Sequence, residues 1–211
     1  MHEMLSSNHN NTIIGEALHK LCGGDDAILW ECSCFIAKEG SAPQIVHSDT
    51  IFTPKAEVYT IFVALQNIAR HQGPTRLIPG THHGREGEEA HQALVDDTGT
   101  STRAVGSAYC EGASSVVALL SVGDAMVYDS RTHHCGGPYL PDPDVDRDRD
   151  CDGTAPEQEE RVVFAISFRH ADAETSSENA NQHGDGSILP ELAKRRLTLG
   201  SLCRASSSAE A

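Results

Sequence analysis

A mainly β domain braced by a few short helices is the fold class this sequence predicts, and three observations carry the prediction. Ala27 to Ala37, Glu57 to Gln66, Ser114 to Ser121 and Arg161 to Phe168 are apolar runs, several rich in β-branched or aromatic residues, bounded by Gly, Pro and Ser turn signals. Helical spacing is confined to short stretches. A chain of 211 residues with 38% hydrophobic content is long enough for one domain to bury a core.

The elements follow in chain order. Between Thr12 and Leu21 the apolar residues Ile13, Ile14, Ala17, Leu18 and Leu21 recur at helical spacing, and Cys22-Gly23-Gly24 ends the run. Ala27 to Ala37 reads as a buried strand closed by a turn at Glu39-Gly40-Ser41. Its Cys32 and Cys34, spaced C-x-C, read as small buried residues and not as zinc ligands. Gln44 to Thr50 reads as a further strand, Phe52-Thr53-Pro54-Lys55 interrupts the pattern, and Glu57 to Gln66 is the predicted central strand. Residues 84 to 112 are polar and Gly-rich, with a short helix expected near Glu88 to Leu94, before Ser114 to Ser121 resumes the sheet. After Phe168 a polar loop leads to a basic helix over Leu189 to Leu199, with Lys194-Arg195-Arg196 on a solvated face, and a Ser-rich tail read as disordered. The organisation expected is one domain over 1–170, with an acidic loop insert at 141–160, and a polar C-terminal segment over 171–211.

Charge narrows the partners. With 31 acidic against 16 basic residues, the formal charge of −15 repels nucleic acid and anionic membrane surfaces, and no protein partner is indicated. The polar start and the lack of a long apolar run predict neither a signal peptide nor a membrane-spanning helix. Seven cysteines without a regular framework predict free thiols, hence a cytoplasmic or other reducing compartment.

Chemistry enters at Gln44 to Thr50. On an extended strand His47 and Asp49 project to one side, presenting an imidazole and a carboxylate together. A second histidine from elsewhere would complete a two-His-one-carboxylate face, which suits Fe(II) and leaves coordination positions open. Alone, His-x-Asp is a weak signal.

Three blocks in order sharpen it. Gly73-Pro74-Thr75-Arg76-Leu77-Ile78-Pro79-Gly80-Thr81-His82 resembles the G-x-x-x-x-x-P-G-[ST]-H segment of the phytanoyl-CoA dioxygenase-like oxygenases, and it follows His-x-Asp and Val63-Ala64-Leu65 at the family's distance. Gly123-Asp124 through His133-His134-Cys135-Gly136-Gly137 resembles the family's G-D … H-x-x-G block, and Arg161 to Phe168 its closing strand. The resemblance implies a double-stranded β-helix, a jelly roll of two antiparallel sheets. It also implies a non-haem Fe(II)- and 2-oxoglutarate-dependent dioxygenase that uses O2 to hydroxylate a small organic molecule, releasing succinate and CO2. His47, Asp49 and His134 would then be the iron ligands, and Arg161 would pair with the distal carboxylate of 2-oxoglutarate; no catalytic residue beyond the ligands is assigned.

Rivals stand beside these assignments. His133 adjoins His134, but neighbouring strand residues face opposite ways and the family spacing to Gly136-Gly137 favours His134. Arg169 shares a strand face with Arg161 and reads as exposed, Arg131 and Arg76 read as surface or supporting groups, and His82 and His83 read as loop residues. An aspartate at position 49, where halogenating relatives of the family carry a small residue, points to hydroxylation or another oxidation and not to halogenation. Asp148-x-Asp150-x-Asp152-Gly153 with Glu159 has calcium-loop spacing, although Pro156 and the following strand speak for a solvated loop. Two departures from the family remain: only 46 residues precede His47, and Pro138 stands where an Asn is usual. A silent jelly-roll metal binder, or a cupin-like metal enzyme without 2-oxoglutarate, are the competing readings.

Overall fold

The computed structural model describes residues 13–96, 115–142, 160–173 and 194–202. Helix α1 (Ile13–Leu21) buries Leu18 and stops at Gly23 and Gly24, whose φ angles of +78° and +93° suit residues without a side chain. Gly23 is needed twice over, because a Cβ there would sit 2.7 Å from the His170 ring.

Strands β1 (Ile28–Lys38), β2 (Val58–Ala64), β3 (Thr75–Leu77), β4 (Val116–Val117), β5 (Ala125–Asp129), β6 (His134–Gly136) and β7 (Glu160–Arg169) form two antiparallel sheets, with helix α2 (Gly84–Asp96) between β3 and β4 in sequence. The larger sheet has the order β1-β7-β2-β5 and the smaller the order β4-β3-β6. This is the expected mainly β, two-sheet jelly roll with few helices.

Alternation on the larger sheet divides the core. Ile61, Val63, Ile166 and Phe168 project to one face, where they pack with Leu18, Cys22, Ala27 and Leu199. Phe62, Ala64, Tyr128, Val163 and Ala165 project to the other, towards the site, and pack with Ile68. Phe168 is fully buried, and its transfer from water contributes about 1.5–3 kcal/mol. Val46, Ile78 and Cys135 make a small third cluster.

Several expectations change in the structure. Gln44 to Thr50 is not a continuous strand: His47 forms an isolated bridge with His134, and the chain bends at Asp49 and Thr50. Ser114 to Ser121 pairs as a strand only over the two residues of β4, while α2 begins at Gly84, earlier than the helix predicted near Glu88. Cys32 is half-buried and Cys34 exposed, because β1 lies at the sheet edge and the second half of it shows alternate residues to solvent. Neither residue is the small core residue anticipated. The basic helix over Leu189 to Leu199 is also not continuous within its described part: residues 195 and 196 form a turn, Thr198 bridges Ile28, and a helical turn begins only at Leu199. Backbone bonds from Leu29 N–H to Leu197 O and from Leu199 N–H to Ala27 O draw this segment against β1, and Leu199 enters the core. The acidic stretch with calcium-loop spacing lies outside the described residues.

Candidate metal centre

Two backbone devices assemble the centre. His47 N–H donates to His134 O at 3.0 Å and His134 N–H to His47 O at 2.8 Å, so two histidines distant in sequence are zipped side by side, their rings 4.4 Å apart. Immediately after, Asp49 N–H and Thr50 N–H both donate to Ser130 O, at 2.9 and 3.2 Å, which bends the chain and turns the Asp49 carboxylate back towards the histidines. The side-by-side presentation expected from strand alternation is thus achieved by a bridge followed by a bend.

Ring orientation is fixed as well. His47 Nδ1 lies 2.8 Å from Ile45 O and His134 Nδ1 lies 2.9 Å from Thr132 O. A carbonyl can only accept, so each Nδ1 carries the proton and each Nε2 presents its lone pair to the centre. Asp49 Oδ1 lies 3.8 Å from His47 Nε2 and 3.5 Å from His134 Nε2, and the three ligand atoms lie within 4.8 Å of one another. Metal bonds of about 2.1 Å at right angles place ligand atoms about 3 Å apart, so small side-chain movements would close the set on an ion. Two neutral imidazoles and a carboxylate form a donor set suited to Fe(II).

Tyr128, on β5, supports the carboxylate. Its hydroxyl donates to Asp49 Oδ2 at 2.9 Å, leaving Oδ1 directed at the histidines, and its ring packs edge-on against His134 and Phe62. Burial, and then the nearby Asp49 carboxylate, push the phenol well above its ordinary pKa, so it remains a donor.

The neighbouring histidine is placed differently. His133 O accepts from Ile78 N–H and His133 N–H donates to Thr81 Oγ1, which ties this residue to the segment after β3 and turns its side chain into the interior, away from the three-residue group. His82 and His83 sit in the turn before α2 with their rings 4.3 Å apart.

His47, Asp49 and His134 line one cleft with Arg161, Glu31, Gln44, Thr75 and several apolar side chains. Arg161 is 8% exposed, donates from Nη1 to Gly73 O, and has a buried Nε with no hydrogen-bond partner. Desolvation lowers its pKa against a smaller opposing effect of Tyr139. A buried guanidinium with an idle N–H fits an incoming carboxylate, which would restore both the charge balance and the missing bond.

Arg169 does not face solvent as expected. It is 8% exposed at the far end of β7, its guanidinium 5.0 Å above the Trp30 ring, and it is not among the residues lining the cleft. Arg131 is bound to Asp129 at 2.6 Å and to Thr53 O, while Arg76 is half-buried on β3.

Sequence reasoning left Tyr128, Glu31, Gln44 and Thr75 without roles. Glu31 did carry a signal, being a lone carboxylate in an otherwise uncharged strand core, which is costly to bury without purpose.

The phytanoyl-CoA dioxygenase (PhyH) family model matches residues 5–140, nearly two-thirds of the chain. The chain belongs to the phytanoyl-CoA dioxygenase family. The match contains His47, Asp49 and His134 and ends before β7, so Arg161 rests on the structure and not on the match. No curated protein matches the sequence. Among solved structures, the non-haem α-ketoglutarate-dependent carbocyclase SnoK from nogalamycin biosynthesis is similar at 18% identity and a TM-score of 0.56, over 92% of this chain and 64% of that one. AviO1 from Streptomyces viridochromogenes Tue57 is similar at 16% identity and 0.51, over 76% of this chain and 58% of that one. The non-haem α-ketoglutarate-dependent epimerase SnoN, also from nogalamycin biosynthesis, gives 16% and 0.50, over 93% and 71%. These likenesses show the jelly-roll fold that the PhyH family member shares with them, while it spans less than two-thirds of AviO1 and SnoK. No helix among the described residues is long and apolar enough to cross a membrane.

Proposed function

We propose that the protein is a non-haem Fe(II)- and 2-oxoglutarate-dependent dioxygenase that hydroxylates a small organic molecule and releases succinate and CO2. The observation that carries this reading is one cleft holding both the His47, Asp49 and His134 ligand group and the buried Arg161 with its idle Nε. His47 Nε2, Asp49 Oδ1 and His134 Nε2 would hold Fe(II), and Arg161 would take the distal carboxylate of the cosubstrate beside Thr75. Together, Fe(II) and 2-oxoglutarate supply the oxidising power, drawn from O2 and decarboxylation of the keto acid.

The chain's own groups then do four things. Ile45 O and Thr132 O fix the imidazole tautomers; Tyr128 holds the carboxylate; Arg161 orients the cosubstrate; Phe35, Phe62 and Val163 line the cleft with apolar surface that limits water. The intact Asp49 supports hydroxylation over halogenation, since it fills the position a halide would need.

Anaerobic titration of the Fe(II)-loaded protein with 2-oxoglutarate tests the reading through the visible charge-transfer band of the chelate. The band should appear in the wild type, vanish in His134→Ala, and require at least tenfold more 2-oxoglutarate in Arg161→Ala. Iron binding without a band would transfer the protein to the cupin-like or silent-binder reading. An unchanged requirement in Arg161→Ala would remove the anchor assigned here.

A further inference from the structure

We propose that Arg169, Arg196 and Trp30 form a binding site for an oxyanion, the carboxylate or phosphate of a small molecule, apart from the cosubstrate anchor assigned to Arg161.

Arg169 is a buried cation without a bonded counter-charge. It is 8% exposed, its Nε is buried with no hydrogen-bond partner, and no carboxylate among the described residues bonds to its guanidinium. Contact with the Trp30 ring at 5.0 Å compensates only part of the lost hydration. Burial, and then the Arg196 guanidinium, lower the Arg169 pKa, while Glu57 opposes them to a smaller degree. Two cations are thus held near each other, and the buried one has an idle N–H. An oxyanion seated between them would supply the missing charge and the missing acceptor together.

Two backbone features build the site. The register of β1 on β7 passes from Leu29 opposite Phe168 to Glu31 opposite Ser167, so Trp30 is the extra residue of a bulge. Bulges re-aim side chains, and here the indole meets Arg169. Thr198 bridges Ile28 and Leu29 N–H donates to Leu197 O, which lays the C-terminal segment along the start of β1. Arg196 is thereby carried towards the end of β7, where Ile28 and Val58 flank Arg169. Arg196 is exposed and has a φ of +46°, the one non-glycine residue in the left-handed region among the described residues. A turn that holds a second cation in that conformation beside a buried one is costly, and a bound anion would offset the cost.

Position separates this site from the cosubstrate anchor. Arg161 and Arg169 stand at opposite ends of β7, eight residues and about 26 Å apart at strand rise. Arg161 and Val163 line the metal cleft, and unbroken pairing of β7 with β2 carries the same alternation on to Arg169. Both arginines therefore lie on the face of the sheet that bears the metal centre. The acid group of a substrate and a free small anion present the same oxygens to the planar guanidinium fork, so one chemistry covers both sources.

Trp30 is the chain's single tryptophan, so its fluorescence reports this site alone. The full chain without metal is titrated with inorganic phosphate, phenyl phosphate, phenylacetate and neutral phenylacetamide, at an ionic strength held constant with sodium chloride. The oxyanions should change the emission saturably and phenylacetamide should not. Arg169→Gln should raise the half-saturating concentration about tenfold or more, and Arg169→Lys, which keeps the charge but not the fork, should recover only part of the loss. Arg196→Ala, at an exposed position, should raise it by a smaller factor and keeps the test decisive if Arg169 variants fail to fold. Arg161→Ala should respond as the wild type does. No saturable change with any oxyanion, an equal change with phenylacetamide, unchanged half-saturation in Arg169→Gln or Arg196→Ala, or a lost response in Arg161→Ala overturns the proposal. Repeating the titration on the Mn(II)-loaded protein separates the sources, and either result supports the site. Broadened proton NMR lines of phenylacetate mark an acid that reaches towards the metal, as a substrate would, and sharp lines with the same fluorescence change mark a free anion. Absence of the Fe(II) charge-transfer band would sink the cosubstrate reading and leave the metal-free fluorescence result standing.

Discussion

Replacing Tyr128 with Phe removes the hydroxyl that bonds the Asp49 carboxylate at 2.9 Å and lies 3.5 Å from His134 Nε2. The Phe ring can keep the edge contacts with His134, at 5.0 Å, and with Phe62, at 5.4 Å, so the loss is confined to the hydroxyl, whose shorter contact is the bond to Asp49 Oδ2. That bond is charge-assisted and buried, a class that contributes about 1.5–3 kcal/mol. At about 1.4 kcal/mol per tenfold, and in line with the usual effect of removing such a support, metal affinity should fall about 10- to 100-fold. Calorimetric titration of Mn(II) into the apo protein, wild type against Tyr128→Phe, reads this directly. An affinity within twofold of wild type, with only the thermal midpoint lowered, would show that the hydroxyl serves packing and that Asp49 needs no tether.

Three further outcomes can be checked. Gly73→Ala should lower expression of folded protein and raise the 2-oxoglutarate requirement, because φ is +68°, a Cβ would stand 2.3 Å from Gly137 O, and Gly73 O is the acceptor that seats Arg161; normal chelate formation in a stable variant would contradict it. Burial pushes the Cys22 thiol up to about 12, so iodoacetamide at pH 8 should modify exposed Cys34 before Cys22 and reach Cys22 only after denaturation, as peptide mass spectrometry would show. Cys22, Tyr59 and Tyr128 all have raised folded-state values, so their contribution to stability is complete below their ordinary pKa values of 9.0 and 10.0 and is lost as pH rises towards the folded ones. Urea midpoints should therefore fall from about pH 9 upwards, and a flat profile to pH 11 would refute the sign.

The parts of this protein legible in its sequence are those governed by local pattern. The apolar spacing from Ile13 to Leu21 gives α1, and the β-branched run around Val58–Ala64 gives the central β2. His134 and not His133 lies beside His47 and Asp49 because parity is a backbone property and the bridge to His47 fixes it. What local pattern could not supply is what distant segments impose. Thr198 pairs with Ile28, so residues with helical spacing are drawn into a bridge. Arg169 looked exposed at a strand end, yet the Trp30 ring covers it. Glu31, Ser167, Thr60 and Tyr128 share a row only once four strands are in register, and no spacing along the chain announces that.

The bridge between His47 and His134 makes the centre a property of the closed fold. The unfolded chain holds His47 and Asp49 close together but leaves His134 far off, so it can offer an ion only a fragment of the set. An ion that favours the native state so strongly becomes a folding ligand: at a free concentration one hundred times its dissociation constant it adds about 2.7 kcal/mol to the unfolding free energy. Metal supply would then govern how long the protein persists, and a metal-starved preparation should unfold at lower urea than a metal-loaded one.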